Sequence, residues 1–193
     1  MPTRFAALDF ETANYRHASV CAVGLAVFDD GRLVDSLYRL IRPPKGCGWF
    51  RDDFIEIHGI THLDVLNEPE FPVIAEELLP RLASADIVIA HKAAFDIAKL
   101  RGSLDHFGLP YPQFDYLCTV QLARRVWPTL ANHQLDTVVE HIGHQFQHHH
   151  AGADAEAAGR VMLAMMKQVG VKTSRELAQA LGVEIGQFCV SET

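Results

Sequence analysis

No apolar run in the 193-residue sequence approaches the about 18 residues that a membrane-spanning helix requires. The chain also lacks internal repeats, low-complexity tracts and an obvious interdomain linker, which excludes solenoid and fibrous architectures. Positive charge is scarce. Seventeen basic residues stand against 24 acidic ones, for a formal net charge of −7, so the electrostatic footprint of a general nucleic-acid binder is missing. That balance still permits a local basic rim beside a metal-loaded acidic site. Cysteine is sparse as well. Cys21, Cys47, Cys118 and Cys189 form no Cys-x-x-Cys pair, and a chain of this length needs no disulfide staples, so reduced and mostly packed thiols are expected. The first residues turn acidic at Asp9 and Glu11, too early for the apolar stretch of a secretory leader. These absences together predict a cytoplasmic protein with no membrane partner.

The composition itself is that of an ordinary globular domain. Apolar types make up 49% and charged types 21%, close to the usual values of about 45–50% and about 25%. The length suits one domain with a real core, with room for a short appendage.

Strand and helix signals alternate along the chain. Residues 5–10 are short, apolar and flanked by polar residues, as in a buried strand. Residues 20–28 and 33–41 form two apolar runs around Asp29-Asp30-Gly31, an acidic-glycine turn between strands, so the first three strands are expected to form an antiparallel meander. Residues 42–70 read as irregular apart from a short piece near 54–57. Helical spacing follows over 71–82, blemished by Pro80. A short buried strand is expected at 86–90 and a helix over 95–107, stopped by Gly108-Leu109-Pro110. Residues 113–118 suit a fifth strand. Thr119 is expected to cap a helix to about residue 126, with further helices over 135–142 and 154–169. Thr173-x-x-Glu176 is a capping box ahead of a last small helix. Strands first, then alternating helix and strand, give an α/β layer fold with a mixed sheet and helices on both faces. Ligands of such sheets gather at the carboxyl ends of the strands.

Carboxylates are found at those ends. Asp9 and Glu11 are two apart on a strand and therefore share a face with Phe5 and Ala7, an apolar face otherwise fit for the core. Two ionised carboxylates there repel and are costly to bury unless they are paired or bound to metal. Alone, they fit equally well two solvated groups where the strand emerges. Asp96 follows a strand and opens a helix, where an acid is favoured by the helix dipole in any case. His149 precedes Asp154 by five positions, within a run of three histidines at 148–150 that obscures which of them matters. Taken together, four carboxylates from three segments can converge on one sheet edge and hold two divalent ions. Oxygen donors of this kind suit Mg²⁺ or Mn²⁺. A histidine near neutral pKa can accept a proton from an attacking water.

The sequence resembles the DEDDh 3′–5′ exonucleases, the family of the bacterial DNA polymerase III epsilon proofreading subunit and of RNase T. Asp9-Phe10-Glu11-Thr12 matches the first motif. Residues 88–96, ending in His91-Lys92-Ala93-Ala94-Phe95-Asp96, match the second, and His149 with Asp154 matches the third. His58-Gly59-Ile60-Thr61 matches a recurring element of the family. Order and spacing fit from residue 5 to about 168. The resemblance implies a ribonuclease H-like fold with a five-stranded mixed sheet flanked by helices, with the exonuclease domain over 1–170 and a C-terminal helical extension over 171–193. It implies Asp9, Glu11, Asp96 and Asp154 as ligands of two Mg²⁺ or Mn²⁺ ions and His149 as general base, with His150 and His148 as alternatives. Thr12, His58, Ile60 and Phe95 would wall the terminal-nucleotide pocket, although the 58–61 segment suits a loop packed on the sheet just as well. Lys92 departs from the asparagine common in the family. It is either solvated or reaches a substrate phosphate as a point charge.

The expected activity is metal-dependent hydrolysis of the terminal phosphodiester at single-stranded 3′ ends, DNA favoured, releasing nucleoside 5′-monophosphates. The alternatives are an RNA exonuclease of the RNase T or oligoribonuclease type and a non-catalytic nucleic-acid- or polymerase-associated module of the same fold. The segment 171–193 is too short for a core of its own, so it either packs on the domain or supports a homodimer.

Overall fold

The computed structural model describes residues 4–189; residues 1–3 and 190–193, at the outer ends of the expected domain and extension, lie outside it. The chain opens with the expected meander: β1 (Arg4–Thr12), β2 (Val20–Asp29) and β3 (Arg32–Leu40), paired antiparallel in turn. Positive φ at Asp30 (49°) and Gly31 (76°) closes the β2–β3 turn. Two short helices follow, α1 (Asp52–His58) and α2 (His62–Val65), then α3 (Phe71–Ala83). The segment expected to be irregular thus carries one more helical turn than its sequence suggested. A capping box between Thr61 and Asp64 holds that turn. Pro80 sits inside α3 in its last turn, where it leaves the Glu76 carbonyl without its helical donor.

Next come β4 (Ile87–Ala90), α4 (Ala94–Phe107), β5 (Phe114–Cys118), α5 (Thr119–Val126), α6 (Leu135–His141), α7 (Ala151–Val169) and α8 (Ser174–Leu181). Thr119 does not cap α5. Cys118 occupies that position without a side-chain cap, and the Thr119 hydroxyl is engaged by His91 instead. The Thr173–Glu176 capping box of α8 is present.

The sheet has six strands, not five, in the order β3-β2-β1-β4-β5-β6. β6 (Gly186–Phe188) comes from the C-terminal segment and pairs antiparallel with β5. Three residues with a glycine at one end give little strand signal. Packing makes the strand: Phe188 stacks on Phe114 at 4.8 Å between ring centroids, and a Cβ on Gly186 would lie 2.3 Å from the Tyr116 ring. The mixed sheet with flanking helices is otherwise as expected.

Strand alternation divides the core. Phe5, Ala7, Ile87, Ile89 and Leu117 face α5–α8 on one side. Ala6, Leu8, Phe10 and Val88 face α3 and α4 on the other. The face of β1 that carries Asp9 and Glu11 is therefore the face covered by α7. Among the described residues, no helix is long and apolar enough to cross a membrane.

Candidate active site

β1 pairs in parallel with β4 only from Phe5 to Ala7. Beyond Ala7 the pairing stops, because β4 ends at Ala90 while β1 runs on to Thr12; the crevice outside such carboxyl ends is where α/β sheets take ligands. The Phe10 N–H, left without a strand partner on that side, donates to Asp96 Oδ1 at 3.0 Å. Asp96, on the first turn of α4, is thereby tied to the backbone between Asp9 and Glu11.

Asp154 arrives from the opposite layer. Asp9 is register partner to Gly24 on β2. A Cβ on Gly24 would lie 1.9 Å from the Ala151 carbonyl oxygen, so only glycine lets the start of α7 seat so closely on the sheet. That contact sets Asp154, on the first turn of α7, beside Asp9 and Glu11. Ligand oxygens of these three lie within 4.8 Å of one another. Asp96 stands beside this triangle: its charge is the largest of the carboxylate influences on Asp9.

The electrostatics are those of unneutralised buried acids. Burial, then the charges of Asp96, Glu11 and Asp154, raise the Asp9 pKa well above the carboxylate range. Burial, then Asp154, pushes Glu11 up to about 8. Asp96 is raised by burial against the pull of its backbone hydrogen bonds. Asp154 is raised by burial against the hydrogen bond from His148. Among the described residues no lysine or arginine forms an ion pair with any of the four. An all-oxygen donor set that is short of positive charge fits a hard divalent cation.

The three histidines separate by geometry. His148 Nδ1 lies 3.0 Å from Asp154 Oδ1. His150 is the N-cap of α7, its Nδ1 accepting the Ala153 N–H, and it stacks on Tyr38 with centroids 4.0 Å apart. The His149 ring has neither tie, while its backbone N–H donates to the Asp154 carboxylate. It stacks on His148 at 3.8 Å, is exposed, and adopts the left-handed φ of 63°. Desolvation of the partly covered ring, then the charge of His148, lowers its pKa, against the charge of Asp154.

Among the expected pocket residues, His58 has both ring nitrogens engaged by backbone. Nε2 faces the Thr12 carbonyl at 3.1 Å and Nδ1 accepts the Ile60 N–H at 3.0 Å. Its pKa is lowered by burial, consistent with a neutral ring that donates from Nε2. Thr12 and Ile60 are buried; Phe95 is 43% exposed beside Asp96. Lys92 is exposed on the turn after β4, in left-handed conformation with φ 69°.

Two supporting residues escaped the sequence reading. Lys99 is buried, and its ammonium donates to the Tyr15 and Arg16 carbonyl oxygens at 3.3 and 3.1 Å, fastening the β1–β2 loop to α4. Its place one turn after Asp96 was the available signal. His91, inside the second motif, joins Thr119 and the His133 carbonyl; nothing in the sequence links those positions.

The family model described as "Exonuclease", of the RNase T type, matches residues 6–162. The 3′–5′ exonuclease DinG of Bacillus subtilis is 28% identical over 172 residues, covering 86% of this chain and 18% of that protein. The PolC-type DNA polymerase III of Thermotoga petrophila is 31% identical over 180 residues, covering 90% of this chain and 13% of the polymerase. The chain thus spans less than a fifth of either relative. Among solved structures, Exonuclease X in complex with 5′ overhanging duplex DNA superposes with a TM-score of 0.71 at 23% identity, covering 92% of this chain and 99% of that one. The nuclease domain of 3′hExo, described as a DEDDh family member bound to rAMP, gives 0.74 at 15% identity, covering 95% and 96%. These likenesses establish a shared fold. With three motifs in order and a family match across most of its length, the chain belongs to the DEDDh 3′–5′ exonuclease family.

Proposed function

We propose that this protein is a 3′–5′ exonuclease that removes nucleoside 5′-monophosphates from single-stranded nucleic acid, with DNA favoured. The convergence of Asp9, Glu11 and Asp154 within 4.8 Å, beside Asp96, carries this reading. These four residues would hold two Mg²⁺ or Mn²⁺ ions. When bound, such ions activate water and stabilise the charge that builds on the phosphate and the leaving oxygen. His149, whose ring is held by neither Asp154 nor the α7 cap, takes a proton from the attacking water on a ring nitrogen. His148 orients Asp154, and His150 holds the start of α7. Phe95 offers an exposed ring on which a splayed base stacks, a contact of about 1–3 kcal/mol. Thr12, His58 and Ile60 line the side of the crevice toward β2 and β3.

Residues 1–170 contain every group in this reading, and the C-terminal segment packs on that domain through α8 and β6. The PolC-type relatives favour DNA as substrate and a DNA polymerase as partner class. The neighbour bound to rAMP supports RNA as the second substrate to be tried, and a homodimer is the alternative assembly. The test is a gel assay with 5′-labelled single-stranded DNA and the matching RNA, in Mg²⁺ or Mn²⁺. The expected result is a ladder shortening from the 3′ end, lost in EDTA and in Asp9→Ala. A folded, metal-binding protein that cuts neither strand would return the weight to a non-catalytic binding module.

A further inference from the structure

The carboxyl ends of the parallel strands carry a second feature, beside the acidic crevice. Ala90 and Cys118 are register partners on β4 and β5. The Lys92 turn and the first turn of α5 therefore leave the sheet side by side. Between them and the C-terminal segment runs a groove of about 520 Å³, whose walls include Lys92, Tyr116, Cys118, Gln121, Arg124 and Glu184. Gln121 and Arg124 are three apart on α5 and share a helix face. Lys92, Gln121 and Arg124 are all exposed.

The two cations of this groove are uncommitted. Arg4, Arg39, Arg42, Arg51, Arg81, Arg160 and Arg175 are each paired with a carboxylate. Lys99 and Arg125 are spent on backbone carbonyls. Among the described residues Lys92 and Arg124 have no ion-pair partner; Arg16, Arg32, Lys45 and Lys167 share that property but do not line this groove. In a chain of net charge −7, two free cations on one groove beside the crevice mark a place for an anionic chain rather than an average surface.

Position selects the anion. Ile60 packs with Cys21 and Ala22 on the β2 side of the carboxylates, whereas the groove lies on the β4–β5 side. A strand whose last nucleotide occupies the first side must leave across the second. Two strand spacings of about 4.8 Å separate β1 from β5, so the groove begins roughly 10 Å from the carboxylates. At about 3.4 Å per stacked nucleotide that is about three nucleotides. We propose that the groove binds the phosphate backbone of the strand being shortened, about three nucleotides 5′ of the scissile bond, with Lys92 and Arg124 as its phosphate contacts and Glu184 as an opposing charge. This rests on the exonuclease reading above and extends it to a second binding site.

The test is steady-state cleavage of oligodeoxythymidylates and oligouridylates two, four, eight and twelve nucleotides long. KM of the wild-type protein should fall with length beyond four nucleotides and rise with salt. Arg124→Glu and Lys92→Glu should each raise the ratio of the twelve-mer KM to the dinucleotide KM about tenfold and lower the salt slope by about one. Arg124→Gln, a milder change checked by thermal unfolding, should act in the same direction, and Glu184→Gln in the opposite one. If the charge reversals shift KM equally at all lengths, or leave the length dependence unchanged, the groove proposal falls while the exonuclease reading stands. If the wild-type protein degrades no oligonucleotide, both fall.

Discussion

His91 Nε2 stands 3.0 Å from the carbonyl oxygen of His133, and its Nδ1 stands 2.9 Å from the Thr119 hydroxyl. One imidazole thus fastens the turn after β4 to the start of α5 and to the loop ahead of α6. Burial pushes its pKa down to about 4, against the pull of the His133 carbonyl. The ring is therefore neutral, donating from Nε2 and accepting the Thr119 hydroxyl at Nδ1.

A histidine whose folded pKa lies below its unfolded value of about 6.5 contributes stability that is complete above pH 6.5. That stability is lost as pH falls toward 4. The shift corresponds to about 3 kcal/mol. Urea unfolding of wild type and His91→Asn between pH 4.5 and 7.5 should show the gap between them closing as the solution is acidified. A constant gap would contradict the assignment of a buried neutral ring.

The carboxylates act with the opposite sign. Their folded pKa values are raised, Glu11 to about 8. The metal-free protein should therefore be at its full stability below pH 4.5 on this account and lose it as pH rises through 8. Thermal unfolding in EDTA at pH 5.5 and pH 8 should give a lower Tm at pH 8 in the wild type than in Asp9→Asn, and Mn²⁺ should restore the wild type alone. Asp9→Asn should also lose well over 100-fold in activity, more than the loss of a residue that only orients a ligand. An Asp9→Asn protein no more stable than wild type in EDTA at pH 8 would argue against mutual repulsion.

The three histidines should separate by experiment as they do in space. His149→Ala should lower kcat by about 10²- to 10⁴-fold, the range of general acid–base catalysis, with little change in KM. His150→Ala should cost about 0.5–2 kcal/mol of stability, the value of a helix cap. His148→Ala should weaken Mn²⁺ affinity by about 10- to 100-fold through loss of the bond to Asp154. Titration calorimetry and kinetics together distinguish these patterns; a kcat effect greater in His148→Ala than in His149→Ala would exchange their roles.

Gly24→Ala tests how the layers meet. The new methyl would collide with the Ala151 backbone 1.9 Å away, so α7 must move. We expect a loss of about 1–3 kcal/mol, the usual cost of overpacking, together with weakened Mn²⁺ binding as Asp154 withdraws. Full metal affinity in a stably folded Gly24→Ala would show that Asp154 does not depend on this contact.

Much of this site was legible because strand periodicity is local. Phe5, Ala7, Asp9 and Glu11 share a face of β1 by geometry alone, and Asp96 and Asp154 announce themselves at helix starts. What stayed hidden depends on contacts between distant segments. Asp154 meets Asp9 through the bare backbone of Gly24, and the signal there is the absence of a side chain. His148, His149 and His150 differ in sequence only by their spacing to Asp154, until α7 and Tyr38 claim one of them and Asp154 another. The sixth strand had too few residues for any periodicity to show, and exists because Gly186 and Phe188 fit the rings of Tyr116, Phe114 and Tyr111. The Thr119 hydroxyl suited a cap by sequence, but the ring of His91, 28 positions away, claims it.

The engagement of both His58 nitrogens by backbone has a bearing on selectivity. With Nε2 on the Thr12 carbonyl and Nδ1 on the Ile60 N–H, this ring would offer a base in the proposed pocket only carbon. Ile60 and Phe95 would offer the same. Of the four residues proposed as this wall, Thr12 alone then carries a free polar side-chain group, too little to tell adenine from guanine or thymine from cytosine. Preference among the four letters then reduces to how well each ring stacks, so a terminal base would be accepted for its flatness and size rather than read for its identity.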